Sequence, residues 1–144
     1  MIVEDSLPFR NLIKGALLPQ FPSMEIIEAE SGEEALIRSA SIPVDLVFMD
    51  IGLPGQNGLE VTRKIKADRP DTPIIVLTSY DLPEYREAAL QYGANGFVVK
   101  ESLNWGEIST LVECCEKAKV NGRKPFCIRL QTGCAFATPG HIAS

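Results

Sequence analysis

Residues 47–55 read V-F-M-D-I-G-L-P-G. An apolar run feeds directly into Asp50, and Gly52, Pro54 and Gly55 then break the chain into a loop. A short apolar run bounded by such residues predicts a buried strand, so Asp50 is expected where that strand surfaces. A lone carboxylate there is costly to bury unless partners converge on it. A turn or helix cap is the plainer reading of one aspartate, and a chemical role needs polar groups brought in from elsewhere in the chain.

Working outward, four more apolar runs recur: Met1-Ile2-Val3, Ile26-Ile27, Ile74-Ile75-Val76-Leu77 and Phe97-Val98-Val99. They are continuous rather than alternating, as in strands covered on both faces of a parallel sheet. Helical patterns lie between them. Phe9, Leu12, Ile13, Ala16 and Leu17 share one helical face. Ser31 with Glu34, Asn57 with Glu60 and Asn104 with Glu107 have capping-box spacing. Helices are predicted over about 58–67, 83–92 and 105–120, the last ending at Asn121-Gly122. The order is β-α five times, which predicts an α/β fold with an open parallel sheet and helices on both faces. Ligands of such sheets bind beyond the carboxyl ends of the strands. The first run offers only three residues before Glu4, short for a central strand.

The 144 residues suffice for one domain with a substantial core. The net charge of −5 argues against non-specific grip on nucleic acid. No apolar run has the length of a membrane span, and no signal-peptide pattern opens the chain, so a cytoplasmic location is expected. Cys114, Cys115, Cys127 and Cys134 form no C-x-x-C pair, and His141 is the single histidine. Reduced thiols rather than a zinc site follow.

The residues ending the apolar runs carry the chemistry. The first run ends in Glu4-Asp5, the third in Asp50, the fourth in Thr78 and the fifth in Lys100. In a parallel sheet these ends share one edge. Taken singly, Glu4 and Asp5 could begin a helix, Thr78 could be a loop hydroxyl and Lys100 a solvated lysine. Together, three crowded carboxylates repel unless a cation intervenes. Mg²⁺ suits an all-oxygen site beside a phosphate. Asp50 can then act as nucleophile toward a phosphoryl group, with Lys100 balancing charge and Thr78 donating a hydrogen bond to a phosphoryl oxygen.

The ordered set V-E-D-S at 3–6, V-F-M-D-I-G-L-P-G-Q-N-G-L-E at 47–60, V-L-T-S at 76–79 and G-F-V-V-K at 96–100 strongly resembles the receiver domain of bacterial two-component response regulators. Within that family the D-S-L-P-F-R stretch and the K-E-S after the lysine look most like receivers that precede helix-turn-helix output domains. The resemblance covers about residues 1–120. It implies a doubly wound, flavodoxin-like (βα)₅ sandwich with strand order 2-1-3-4-5. It also implies that Asp50 accepts the phosphoryl group and that Asp5 ligates Mg²⁺, with Glu4 assisting and the Gly52 carbonyl as a further ligand. Thr78 and Lys100 would contact the phosphoryl group, with Thr78 and Phe97 as the switch pair. The resemblance implies a sensor histidine kinase as phosphodonor, and a phosphorylation-dependent homodimer is among the assemblies it allows. Neither nucleic-acid binding by this chain nor membrane association is expected. Two departures stand out: Glu4 where aspartate is commoner, and Glu101 where many members have proline.

The expected function is a phosphorylation-controlled switch that catalyses only its own phosphorylation and dephosphorylation. It would act through the surface formed by the fourth helix, fifth strand and fifth helix. Leu82, Tyr85, Ala89 and Tyr92 are expected to give the fourth helix an apolar stripe there, at least half of it simply core. The alternative is a pseudo-receiver that binds partners without taking phosphate. An aspartate-nucleophile phosphatase would want a second carboxylate where Gly52 stands. Residues 1–122 are expected to form the receiver. Residues 123–144 are too few for a helix-turn-helix domain and are expected to be a disordered tail or one extra strand, from the alternation of Phe126, Ile128 and Leu130.

Overall fold

The structure, a computed structural model, describes residues 1–120, with side chains described through Lys117. Asn121-Gly122 and the 123–144 segment lie outside the described residues. Strands β1 (Ile2–Val3), β2 (Glu28–Ala29), β3 (Val47–Met49), β4 (Ile74–Thr78) and β5 (Gly96–Val99) alternate with five helices. These are α1 (Leu7–Leu17), α2 (Gly32–Ser41), α3 (Gly58–Asp68), α4 (Pro83–Gln91) and α5 (Trp105–Val120). All pairings are parallel, in the order β2-β1-β3-β4-β5. The doubly wound α/β sheet is therefore as expected, with each strand's carboxyl end on one edge.

Successive strand residues point to opposite faces, and here both faces are covered. Ile2, Phe48, Ile75, Leu77 and Val98 join Ile13 and Leu17 of α1 and Ile108, Leu111 and Val112 of α5. Val3, Val47, Met49 and Ile74 join Ala35 of α2 and Val61 and Ile65 of α3. Val76, Phe97 and Val99 join Leu59 and Ala89. Each fully buried aliphatic side chain contributes roughly 1.5–3 kcal/mol, so Ile2 and Val3 hold β1 in the sheet centre despite its two-residue length.

The second strand is displaced from its expected place at Ile26-Ile27. Its partner decides this: Ile2 pairs with Glu28 and Val3 with Ala29, while the Ile27 carbonyl accepts the Ile2 N–H at 2.8 Å. The capping boxes form only in part. Ser31 Oγ accepts the Glu34 N–H, but the Glu34 carboxylate accepts from the Glu30 N–H rather than from the cap residue. Asn57 caps α3 through the Leu59 N–H, while Glu60 turns to Arg63. Asn104 accepts from the N–H groups of Gly106 and Glu107. Among the described residues, no helix is long and apolar enough to cross a membrane.

At the opposite edge from the site, Lys66 Nζ donates to Asn95 Oδ1 (2.7 Å) and to the Pro70 carbonyl (3.3 Å). Asn95 Oδ1 also accepts the Ile74 N–H at 3.0 Å, tying α3 to the start of β4. Burial lowers the Lys66 pKa from 10.5 to about 8, opposed in part by Asp71. A lysine with a depressed folded pKa binds fewer protons folded than unfolded between those two values, so its contribution to stability rises with pH across that window. Urea unfolding of wild type against Lys66→Gln from about pH 8 to 10.5 is expected to show wild type gaining on the variant as pH rises. A constant difference would contradict this.

Candidate functional site

Four strand ends deliver the site. Glu4 and Asp5 follow β1, Asp50 follows β3, Thr78 closes β4 and Lys100 follows β5. Ser6, not Asp5, caps α1, accepting the Phe9 N–H at 3.3 Å, so both acids lie in the turn between β1 and α1. The sheet ladder fixes the other positions. The Asp50 N–H donates to the Val3 carbonyl and the Glu4 N–H to the Ala29 carbonyl, both at 3.0 Å. Met49 pairs with Val76, which sets Thr78 one residue beyond the level of Asp50 on the adjacent strand.

Carboxylate oxygens of Glu4, Asp5 and Asp50 lie within 4.8 Å of one another. Glu4 and Asp50 are buried, Thr78 is fully buried, and Asp5 is exposed. Lys100 Nζ bonds Glu4 Oε1 and stands 3.7 Å from Asp50 Oδ1. Three carboxylates against one ammonium leave a net negative site. The donor set is all oxygen, partly solvent-facing and under-neutralised, and these features fit Mg²⁺. Thr78 Oγ1 accepts the Tyr80 N–H at 3.1 Å, which leaves its proton to donate.

Several residues around this cluster were not singled out from the sequence. Arg10, buried on α1, donates to the Glu4 carbonyl (2.6 Å), to Glu28 (2.9 Å) and to Glu30 (3.0 Å). It thereby anchors the acid-bearing turn to β2. Gly58 opens α3 directly behind Asp50, and its N–H donates to the Ile51 carbonyl at 3.0 Å. Tyr80 covers Gly52: a Cβ there would meet its ring at 3.2 Å. Phe9 lies beneath Lys100, whose Nζ is 4.3 Å from the ring centroid.

The sequence profile described as the response regulator receiver domain matches residues 1–113. The chain belongs to the response regulator receiver domain family. It is 38% identical over 100 residues to a cyclic di-GMP phosphodiesterase of Thermotoga maritima, covering 69% of this chain and 26% of that protein. It is 33% identical over 102 residues to the transcriptional regulatory protein DegU of Brevibacillus brevis, covering 70% of this chain and 43% of that one. The chain thus spans about a quarter to under half of these relatives' lengths. A receiver domain structure from Methanospirillum hungatei superimposes with a TM-score of 0.74 at 25% identity, covering 84% of this chain and 95% of that one. The chemistry of the receiver-domain family is its own phosphorylation and dephosphorylation rather than turnover of outside substrates.

On the α4 side of the receiver, most of the expected apolar stripe is core rather than exposed surface. Ala89 is buried, and Tyr85 and Tyr92 pack against the cluster holding Phe97. Leu82 is the helix cap rather than a helix residue. The exposed large apolar groups here are Tyr80, Leu82 and Leu90. Phe97 and Val98 point to opposite faces of the sheet, and Phe97 lies inside at 0% exposure, with the Arg86 guanidinium 5.0 Å over its ring. Truncating such a phenylalanine to alanine costs about 3–5 kcal/mol, so Phe97→Leu is the better probe of its role.

Proposed function

We propose that this receiver accepts a phosphoryl group on Asp50 from a phosphohistidine of a sensor kinase and uses it to reset its α4–β5–α5 surface. An Asp50 carboxylate oxygen forms the new P–O bond while the donor's P–N bond breaks and the imidazole leaves with the bonding pair. The observation that supports this reading most is the meeting of Glu4, Asp5 and Asp50 within 4.8 Å beside Lys100. Glu4, Asp5 and Asp50, with the Gly52 carbonyl, would hold Mg²⁺, which supplies Lewis-acid relief of phosphoryl charge when bound. Lys100 balances charge on Asp50 and the incoming oxygens. Thr78 donates its free proton to a phosphoryl oxygen, and its movement loosens the Tyr80 N–H contact. Thr78 and Phe97 then pass the change to the α4 side. The intact Asp50, Thr78 and Lys100 set speaks against a pseudo-receiver.

The surface so changed would bind a protein partner or a second copy, and the net charge of −5 disfavours direct contact with nucleic acid. Residues 1–122 form the receiver in this reading.

The metal half of the proposal is tested by Asp5→Asn. Asp5 is exposed and makes no ion pair among the described residues, so the variant should fold with wild-type stability or slightly better as repulsion is relieved. Its Mg²⁺ affinity, measured by calorimetric titration, is expected to weaken by at least about tenfold. Unchanged Mg²⁺ affinity would remove Asp5 from the ligand set.

A further inference from the structure

Lys100 has three directions in which to place its ammonium protons. Glu4 takes one and Asp50, 3.7 Å away, lies along a second. The third is closed by an aromatic face: Nζ stands 4.3 Å from the centroid of the Phe9 ring. This contact is built in by the start of α1. Ser6 caps the helix through the Phe9 N–H, and Pro8 favours the first-turn backbone. Phe9 packs against the cluster of Ile13, Phe48 and Leu77, which holds its ring in place.

We propose that Phe9 is a positioning residue for Lys100: its ring face replaces water on one side of the ammonium and holds Nζ toward Glu4 and Asp50. This rests on the phosphoacceptor reading above. A cation over a ring face is attracted by the ring quadrupole, strongly so when partly desolvated, and Lys100 has a side-chain exposure of only 16%. Packing alone would be satisfied by any apolar group of similar size. The electrostatic role requires an electron-rich face, and that difference is measurable.

The test incorporates phenylalanine with one, two and three ring fluorines at position 9 of the full chain. Each fluorine weakens the quadrupole with little change of shape. Initial rates of Mg²⁺-dependent labelling of Asp50 by acetyl phosphate are expected to fall stepwise, by about three- to tenfold across the series. Thermal stability should change far less than the rate, and Phe9→Trp should retain the wild-type rate while Phe9→Leu falls to that of the trifluoro protein. Flat rates across the series, with wild type labelled on Asp50, would overturn the inference and leave the phosphoacceptor reading standing. If wild type takes no label, that reading fails instead. The inference is then decided by a double-mutant cycle of Phe9→Leu and Lys100→Met in urea unfolding. Coupling of about three- to tenfold in the unfolding constant supports it, and additive effects overturn it.

Discussion

Gly58→Ala is expected to lose about 3 kcal/mol or more of stability, a fall of roughly 10 °C in Tm. A Cβ at this position would stand 1.8 Å from the Asp50 carbonyl oxygen, 2.8 Å from its carbon and 3.0 Å from the Ile51 Cα. These are backbone atoms at the end of a buried strand, so no side chain can rotate away. Alanine is the better helix former by about 1 kcal/mol, and the collision outweighs that gain. Relief requires α3 to withdraw from β3, which strains the Gly58 N–H contact to the Ile51 carbonyl and displaces Asp50. Labelling of Asp50 should therefore slow as well. Gly15→Ala is the control: it lies exposed in α1 with nothing within 4 Å of an added Cβ. That variant should be neutral or gain about 0.5–1 kcal/mol. Thermal unfolding followed by circular dichroism compares the two, and a Gly58→Ala protein as stable as Gly15→Ala would contradict the close approach.

Gly58 also shows where a linear reading stops. Asn57 is legible as a cap, and α3 begins after it as expected. That the first helical residue touches the backbone of Asp50 depends on how the loop after β3 folds back, which no local pattern carries. The strands were legible because both faces of the sheet are covered, so Val47, Phe48 and Met49 are all apolar although they point in alternate directions. β2 was misplaced by two residues because pairing with Ile2 and Val3 decides which residues become strand, and Ile26-Ile27 fall before that partner.

The site residues were legible for a related reason. Polar groups that directly follow apolar runs must surface at one edge, and Glu4, Asp5, Asp50 and Lys100 do meet there. Their supports were not. Arg10 reaches Glu28 and Glu30 across separations of 18 and 20 residues, and Phe9 reads as one more apolar position on a helical face. The half-formed capping boxes have the same lesson on a smaller scale: the spacing of Asn57 and Glu60 is right, but Arg63 competes for the Glu60 carboxylate and wins.

The most direct measurement of the central claim is intact-mass analysis of wild type and Asp50→Asn after incubation with acetyl phosphate, with and without Mg²⁺. Asp50 is the buried carboxylate that shares Lys100 with Glu4, and its amide counterpart cannot form an acyl phosphate. Wild type is expected to gain a single hydroxylamine-sensitive phosphoryl group that requires Mg²⁺, and Asp50→Asn is expected to gain none while remaining folded. Equal labelling of the two proteins would place the phosphate elsewhere and contradict the assignment of Asp50.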